Sequence, residues 1–234
     1  MKRLTDWNCH LLPMMGEWIT NAEEALRALR LLHARTGITR FYMTAEFDCL
    51  QEALPCFLLQ RDRAVRELSQ VLPPQLRIGA GAYARLRPGL SELSGLHRLC
   101  LPSTNLLPIQ LPWNAETQES ALELNRLLYH ANVRPVFMEF EHFVTAYPQD
   151  TVKRLLRLDG VAYQFSFLSL GSPKHRQILR QLSERHAPIL FGSAVNSPGS
   201  AAYYDFPSAI AQATDAWGKD FLKELLAGCP SRLK

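Results

Sequence analysis

The stretch Asp6-Trp7-Asn8-Cys9-His10-Leu11-Leu12-Pro13, with Glu17 shortly after it, decides the fold of this chain. Lys2-Arg3-Leu4-Thr5 opens a short strand that ends in Asp, Asn and His at alternate positions. Residues two apart on a strand point to the same face, so Asp6, Asn8 and His10 are expected to share one pocket. Polar side chains gathered at the C-terminal end of a first strand are the pattern of a barrel active site. A lone histidine on a strand is more often a hydrogen-bonded core residue than a ligand, so the rest of the chain must decide.

With 234 residues and 47% hydrophobic content, the chain can bury a large core and fits one α/β domain of barrel size over residues 1–234. The net charge of +4 is mild, and the lysines and arginines are scattered. That pattern argues against a nucleic-acid partner. No run of about 18 apolar residues occurs, so no membrane span is expected. The N-terminus lacks the apolar core of a signal peptide, and the five cysteines form no Cys-x-x-Cys pair. A cytoplasmic setting with buried thiols follows as the expectation. Cys9 is not followed, after five intervening residues, by the arginine of a thiol-phosphatase loop; Met15 stands there, and Cys9 reads as a strand residue facing the core.

Strands and helices alternate along the whole length, which predicts a parallel, barrel-like α/β fold. Thr20 and Glu23 suggest a capping box for a helix to about Arg35, and Ile38 to Thr44 reads as the second strand. A long helical region from Asp48 to Leu72, broken at Pro55, precedes a third strand from Leu76 to Tyr83. Two apolar runs, Leu96 to Leu101 and Leu106 to Trp113, come next, and Asn114 is placed to cap a helix to about Ala131. Val133 to His142 holds an apolar strand-like run with Glu141-His142 as a pair at its end, Tyr147 to Leu158 reads as a helix, Val161 to Ser166 as a strand, and Pro173 to His186 as a helix. Ala187 to Ser193 is the last strand, Asn196 to Ser200 a turn-rich loop, and two helices over about Pro207 to Ala216 and Lys219 to Ala227 finish the chain.

These strand ends resemble the PHP-type (polymerase and histidinol phosphatase), manganese-dependent protein-tyrosine phosphatases of bacterial capsule and exopolysaccharide loci. That family opens Asp-x-His-x-His-x-x-Pro, followed by an aspartate pair. Here Asn8 stands for the first histidine, His10 is the second, and Gly16-Glu17 replaces the aspartates. Glu46 falls where the family has a metal-binding histidine, Gly81 or Tyr83 where it has a bridging glutamate, and Gln110 where it has another glutamate. The family's His-Pro-Glu-Arg becomes Glu139-Phe140-Glu141-His142, and its last-strand Asp and His become Ala194 and Asn196. The resemblance implies a distorted (β/α)7 TIM-like barrel with Asn8, Gln110, Glu141, His142 and Asn196 about one pocket.

The reaction this implies is phosphomonoester hydrolysis by a metal-bound hydroxide in a multi-metal site. Losing both mid-barrel glutamates and the last-strand Asp and His argues against such a site. The expectation is therefore a tyrosine-phosphatase-like protein that is non-catalytic or strongly impaired. It would keep a binding or regulatory role toward a tyrosine kinase or a phosphotyrosine peptide, with Arg85 or Arg98 as candidate phosphate contacts. The alternative is a phosphoesterase using one divalent cation, manganese or magnesium, held by His10, Glu17, Glu46 and Glu139, an oxygen-rich set. If instead Glu17, Glu46 and Glu139 converge without an ion, at least one should have a raised pKa. Trp113 and Tyr203-Tyr204 are candidates for a pocket mouth, with aromatic packing as the simpler account.

Overall fold

Seven short apolar runs form seven parallel strands: β1 (Thr5–Cys9), β2 (Arg40–Phe47), β3 (Arg77–Arg85), β4 (Leu106–Gln110), β5 (Arg134–Phe137), β6 (Ala162–Ser166) and β7 (Ile189–Gly192). Neighbours in sequence are neighbours in the sheet. Parallel neighbours need crossover connections, and helices supply most of them. These are α1 (Ala22–Thr36), α2 (Leu54–Val71), α3 (Gln118–Tyr129), α4 (Phe140–Ala146), α5 (Gln149–Leu155) and α6 (Pro173–Glu184), with α7 (Pro198–Ala202), α8 (Phe206–Trp217) and α9 (Lys219–Ala227) after the last strand. The computed structural model describes residues 4–113, 117–129 and 132–227. Lys2-Arg3, the Asn114 cap and the Ala131 helix end lie outside them.

The sheet curls until its edges meet. Ala194 N donates to Asn8 O (2.8 Å), His10 N to Val195 O (2.8 Å), and Ser193 N to Asp6 Oδ1 (2.9 Å). Gly192 is required at this seam, because a Cβ there would stand 2.6 Å from Asn8 N and 2.7 Å from Asn8 Cβ. The result is a nearly closed seven-stranded parallel α/β barrel. Side chains of period two point inward and fill it: Tyr42 and Tyr83 pack with Leu106, Val136, Ala162 and Leu190, and Trp7 stacks on Tyr42 at 4.7 Å. Glycines on β3 leave room for this filling, since a Cβ at Gly81 would lie 2.9 Å from Leu101. The opposite strand faces build the larger core under the helices, including Phe137, Phe140, Tyr163 and Phe165. Each fully buried aromatic or leucine there contributes about 1.5–3 kcal/mol.

Several local expectations shift. The α1 cap is Asn21, whose side chain accepts from Glu24 N (3.0 Å), while the Glu24 carboxylate accepts from Thr20 Oγ1 (2.8 Å); the cap stands one residue later than Thr20, and the reciprocal box expected of Thr20 and Glu23 does not form. α2 starts at Leu54 with Pro55 in its first turn, where proline lacks no needed donor, so no long helix is broken. Leu96–Leu99 is a 3-10 helix rather than a strand-like run. The fifth strand stops at Phe137, and Glu141-His142, expected as a pair at the strand end, lie in α4, because Glu139 turns the chain at φ 50°. Asn196 to Ser200 is not a free loop: Ser197 and Ser200 form a capping box that starts α7.

Candidate binding site at the barrel mouth

The C-terminal strand ends open on a cavity of about 580 Å³. β1 reaches it through a bulge, since Asp6 pairs with Phe41 but Cys9 pairs with Met43, one residue too many for a regular ladder. A bulge re-aims side chains. Asp6 turns to the β7 seam, accepting from Asn8 N (3.1 Å) and Ser193 N (2.9 Å), and does not share the cavity with His10. Cys9 is buried in the core under the helices. Asn8 goes inward beneath the cavity floor. Its Oδ1 accepts from Thr44 Oγ1 (2.6 Å), and its Nδ2 donates to Glu139 Oε1 (3.1 Å) and Gln164 Oε1 (3.3 Å). Gln164 Oε1 also accepts from Glu139 N (2.8 Å), which holds the left-handed turn at Glu139.

His10 stands on this floor with Nε2 at 3.1 Å from Glu139 Oε1 and Nδ1 at 3.1 Å from the Thr44 carbonyl oxygen. Both of these partners are acceptors, which the imidazolium, with two N–H groups, satisfies at once; the Thr44 hydroxyl also lies 3.3 Å from Nδ1. Burial disfavours that charge, but the hydrogen bond and charge of Glu139 outweigh it and raise the His10 pKa above its ordinary 6.5. Burial likewise opposes ionisation of Glu139, yet His10, with smaller help from His142 and Asn8, holds that carboxyl below its usual range. The contact is an ion pair whenever His10 is protonated.

The wall continues round the strand ends. Glu46 accepts from Arg85 Nη2 (3.0 Å), and Arg85 Nη1 lies 3.9 Å from Asp48. Tyr83, on the β3 register opposite Glu46, lines the cavity, whereas Gly81 packs against Leu101 below it. The β3 position at the mouth is therefore the tyrosine. Burial first, and then the carboxylates of Glu139, Glu46 and Glu141, push the Tyr83 hydroxyl well above its ordinary pKa.

His10, Glu17, Glu46, Glu139, Gln110, His142 and Asn196 all border this one cavity. Two expected pocket residues do not. Asn8 is fully buried under it, and Glu141, on α4, accepts from Ser166 N (2.8 Å) with its other oxygen buried and unpartnered. Helix geometry explains Glu141: the strand expected there ends before it. Arg85 borders the cavity, but Arg98 does not; its carbonyl accepts from Arg61 on α2. Trp113 lines the mouth while Tyr204 is buried in the core. Thr44, Gln164 and Tyr83 do the structural work of the floor. Thr44 and Tyr83 were findable as members of inward period-two sets, whereas the Gln164 bonds depend on the left-handed turn.

His10 has both ring nitrogens on acceptors, Glu139 is neutralised by His10, and Glu46 is turned to Arg85. Among the described residues no group of three or more His, Cys, Asp or Glu side chains is arranged to hold an ion. The expected mutual repulsion of Glu17, Glu46 and Glu139 is also absent from Glu139, whose pKa moves down because a cation lies against it.

No family model matches the chain, and no curated protein does. Among solved structures, the barrel superposes on a chain from the crystal structures of YwqE from Bacillus subtilis and CpsB from Streptococcus pneumoniae, described as unique metal-dependent tyrosine phosphatases. The TM-score is 0.70 at 17% sequence identity, covering 97% of this chain and 95% of that one. The chain therefore has the barrel fold of these metal-dependent tyrosine phosphatases over nearly its full length.

Proposed function

We propose that this protein is a phosphatase-like barrel whose mouth binds a ligand and does not hydrolyse phosphate esters through metal ions. The observation that carries this reading is the His10–Glu139 pair at 3.1 Å, locked from below by Asn8, Thr44 and Gln164. An imidazolium cannot ligate a metal, and Glu139 already spends its charge on it. Gln110, Tyr83, Ala194 and Asn196 add no carboxylate or imidazole to the mouth.

Fold likeness makes a tyrosine kinase or a phosphotyrosine peptide the first partner to consider. The mouth offers a phosphate dianion one guanidinium, Arg85, already engaged by Glu46 and Asp48. We therefore assign the mouth a binding role without assigning it phosphotyrosine. The test is hydrolysis of an aryl phosphate and of a phosphotyrosine peptide with manganese, magnesium or chelator present. The expected result is no metal-dependent turnover. Turnover at ordinary enzyme rates, on the order of 1 per second or more, would overturn the reading and favour the one-ion site of His10, Glu17, Glu46 and Glu139.

A further inference from the structure

We propose that the mouth cavity takes a primary ammonium group carried on an apolar body. The inference rests on the mouth being a binding site and not a metal centre. Its cations are committed: His10 donates to Glu139 and the Thr44 carbonyl, and Arg85 to Glu46. Its acceptors are not. Both hydrogen bonds to the Glu139 carboxylate fall on Oε1, from Asn8 and His10, which leaves Oε2. Tyr83 lines the cavity at 3% residue exposure, and its hydroxyl meets no partner in full hydrogen-bond geometry, the Gln110 side chain being its one weak contact. A buried hydroxyl without a partner costs free energy that a ligand atom can recover.

An ammonium carries three N–H donors. Glu139, Tyr83 and Gln110, which carry a carboxylate oxygen, a phenol oxygen and an amide oxygen as acceptors, all line one cavity. Among the lining residues the carboxylates of Glu17, Glu46 and Glu139 outnumber the two cations His10 and Arg85, which pair with Glu139 and Glu46, so the mouth favours a cation over a phosphate dianion. The rim suits the rest of such a ligand. Trp18 and Trp113 border the opening at 62% and 53% exposure, and Trp113 is held by Phe143 at 5.5 Å between ring centres. Exposed indoles take apolar bodies and also attract cations over their faces. About 580 Å³ is the size of a site for a small organic molecule. The ammonium could come from a free amine or from a lysine side chain of a polypeptide.

The experiment measures binding to the intact protein, by calorimetry and thermal shift, of phenethylamine, 2-phenylethanol and phenyl phosphate, with an end-capped lysine tripeptide as a further arm. The expected order is amine over alcohol, with no binding of phenyl phosphate. Saturation by phenethylamine and not the peptide identifies a small amine as the source, and the reverse identifies a polypeptide lysine. Tyr83→Phe removes a hydroxyl that has no partner in full hydrogen-bond geometry, so its unfolding midpoint should stay within error of the parent. Its affinity for the binding arm should fall about tenfold. Trp113→Ala, at an exposed position, should also weaken that arm. Binding by neither amine, phenyl phosphate binding as tightly as amine, or amine affinity unchanged in Tyr83→Phe overturns the ammonium proposal. Manganese-dependent hydrolysis of phenyl phosphate in the same samples would instead overturn the binding reading beneath it.

Discussion

Gln164 shows how one side chain can set a whole floor. Its Oε1 serves both the Asn8 amide and the Glu139 backbone N–H, all at depth in the barrel. Gln164→Leu keeps the volume and leaves those two donors without that acceptor. The expected loss is about 2–4 kcal/mol of unfolding free energy in a urea titration, because each orphaned buried donor costs about 1–3 kcal/mol. An unchanged midpoint would show that Gln164 is only filling space. Asp6 gives the pH dependence. Burial lifts its carboxyl from 3.8 to about 6, against the lowering effect of bonds from Ser193 and Asn8. The folded state then binds more protons than the unfolded state between those values, so stability falls as pH rises through that window. The full effect is about 3 kcal/mol, from roughly two pKa units at about 1.4 kcal/mol each. Asp6→Asn keeps an oxygen for the two backbone donors, and its unfolding free energy should lose most of this slope. A slope equal to the parent's would place the titration elsewhere.

At the scale of elements, the seam between β1 and β7 is the part that makes a barrel of a sheet. Gly192→Ala would drive a Cβ to 2.6–2.8 Å from the Asn8 backbone and side chain, where nothing flexible can yield. The expected cost is about 1–3 kcal/mol. Hydrogen exchange should quicken at the His10 and Ala194 amides, which bridge the seam. Unchanged exchange at those two amides would mean that the seam does not depend on glycine. Strand existence was legible here because each inner face repeats with period two: Tyr42, Thr44 and Glu46 on β2, then Leu106 and Gln110 on β4. The bulge in β1 was not legible, since nothing in Asp6-Trp7-Asn8-Cys9 announces an extra residue. The start of α4 was masked by composition. Phe140, Phe143, Val144 and Tyr147 lie at helical spacing, but they follow Val136-Phe137-Met138 without a break in apolar character, so the helix start does not stand out.

Taken whole, the molecule carries a net charge of +4 and yet gathers Glu17, Glu46 and Glu139 at its mouth. The strand ends carrying Glu46, Gln110, Glu139 and Asn196 were legible as a common mouth because a parallel barrel brings all its C-terminal strand ends together. What they do there was not legible, because their charges are set by partners far away in sequence. Glu139 meets His10 from 129 positions away, and Arg85 meets Glu46 from 39. Among the described residues no helix is long and apolar enough to cross a membrane. The account turns on the charge state of His10, and the most direct measurement is the 15N and 1H spectrum of its ring across pH, assigned with His10→Gln. A doubly protonated ring that titrates above 6.5 and keeps sharp signals when manganese is added is the predicted result. A ring with one bare nitrogen, broadened selectively by manganese at stoichiometric concentration, would contradict it.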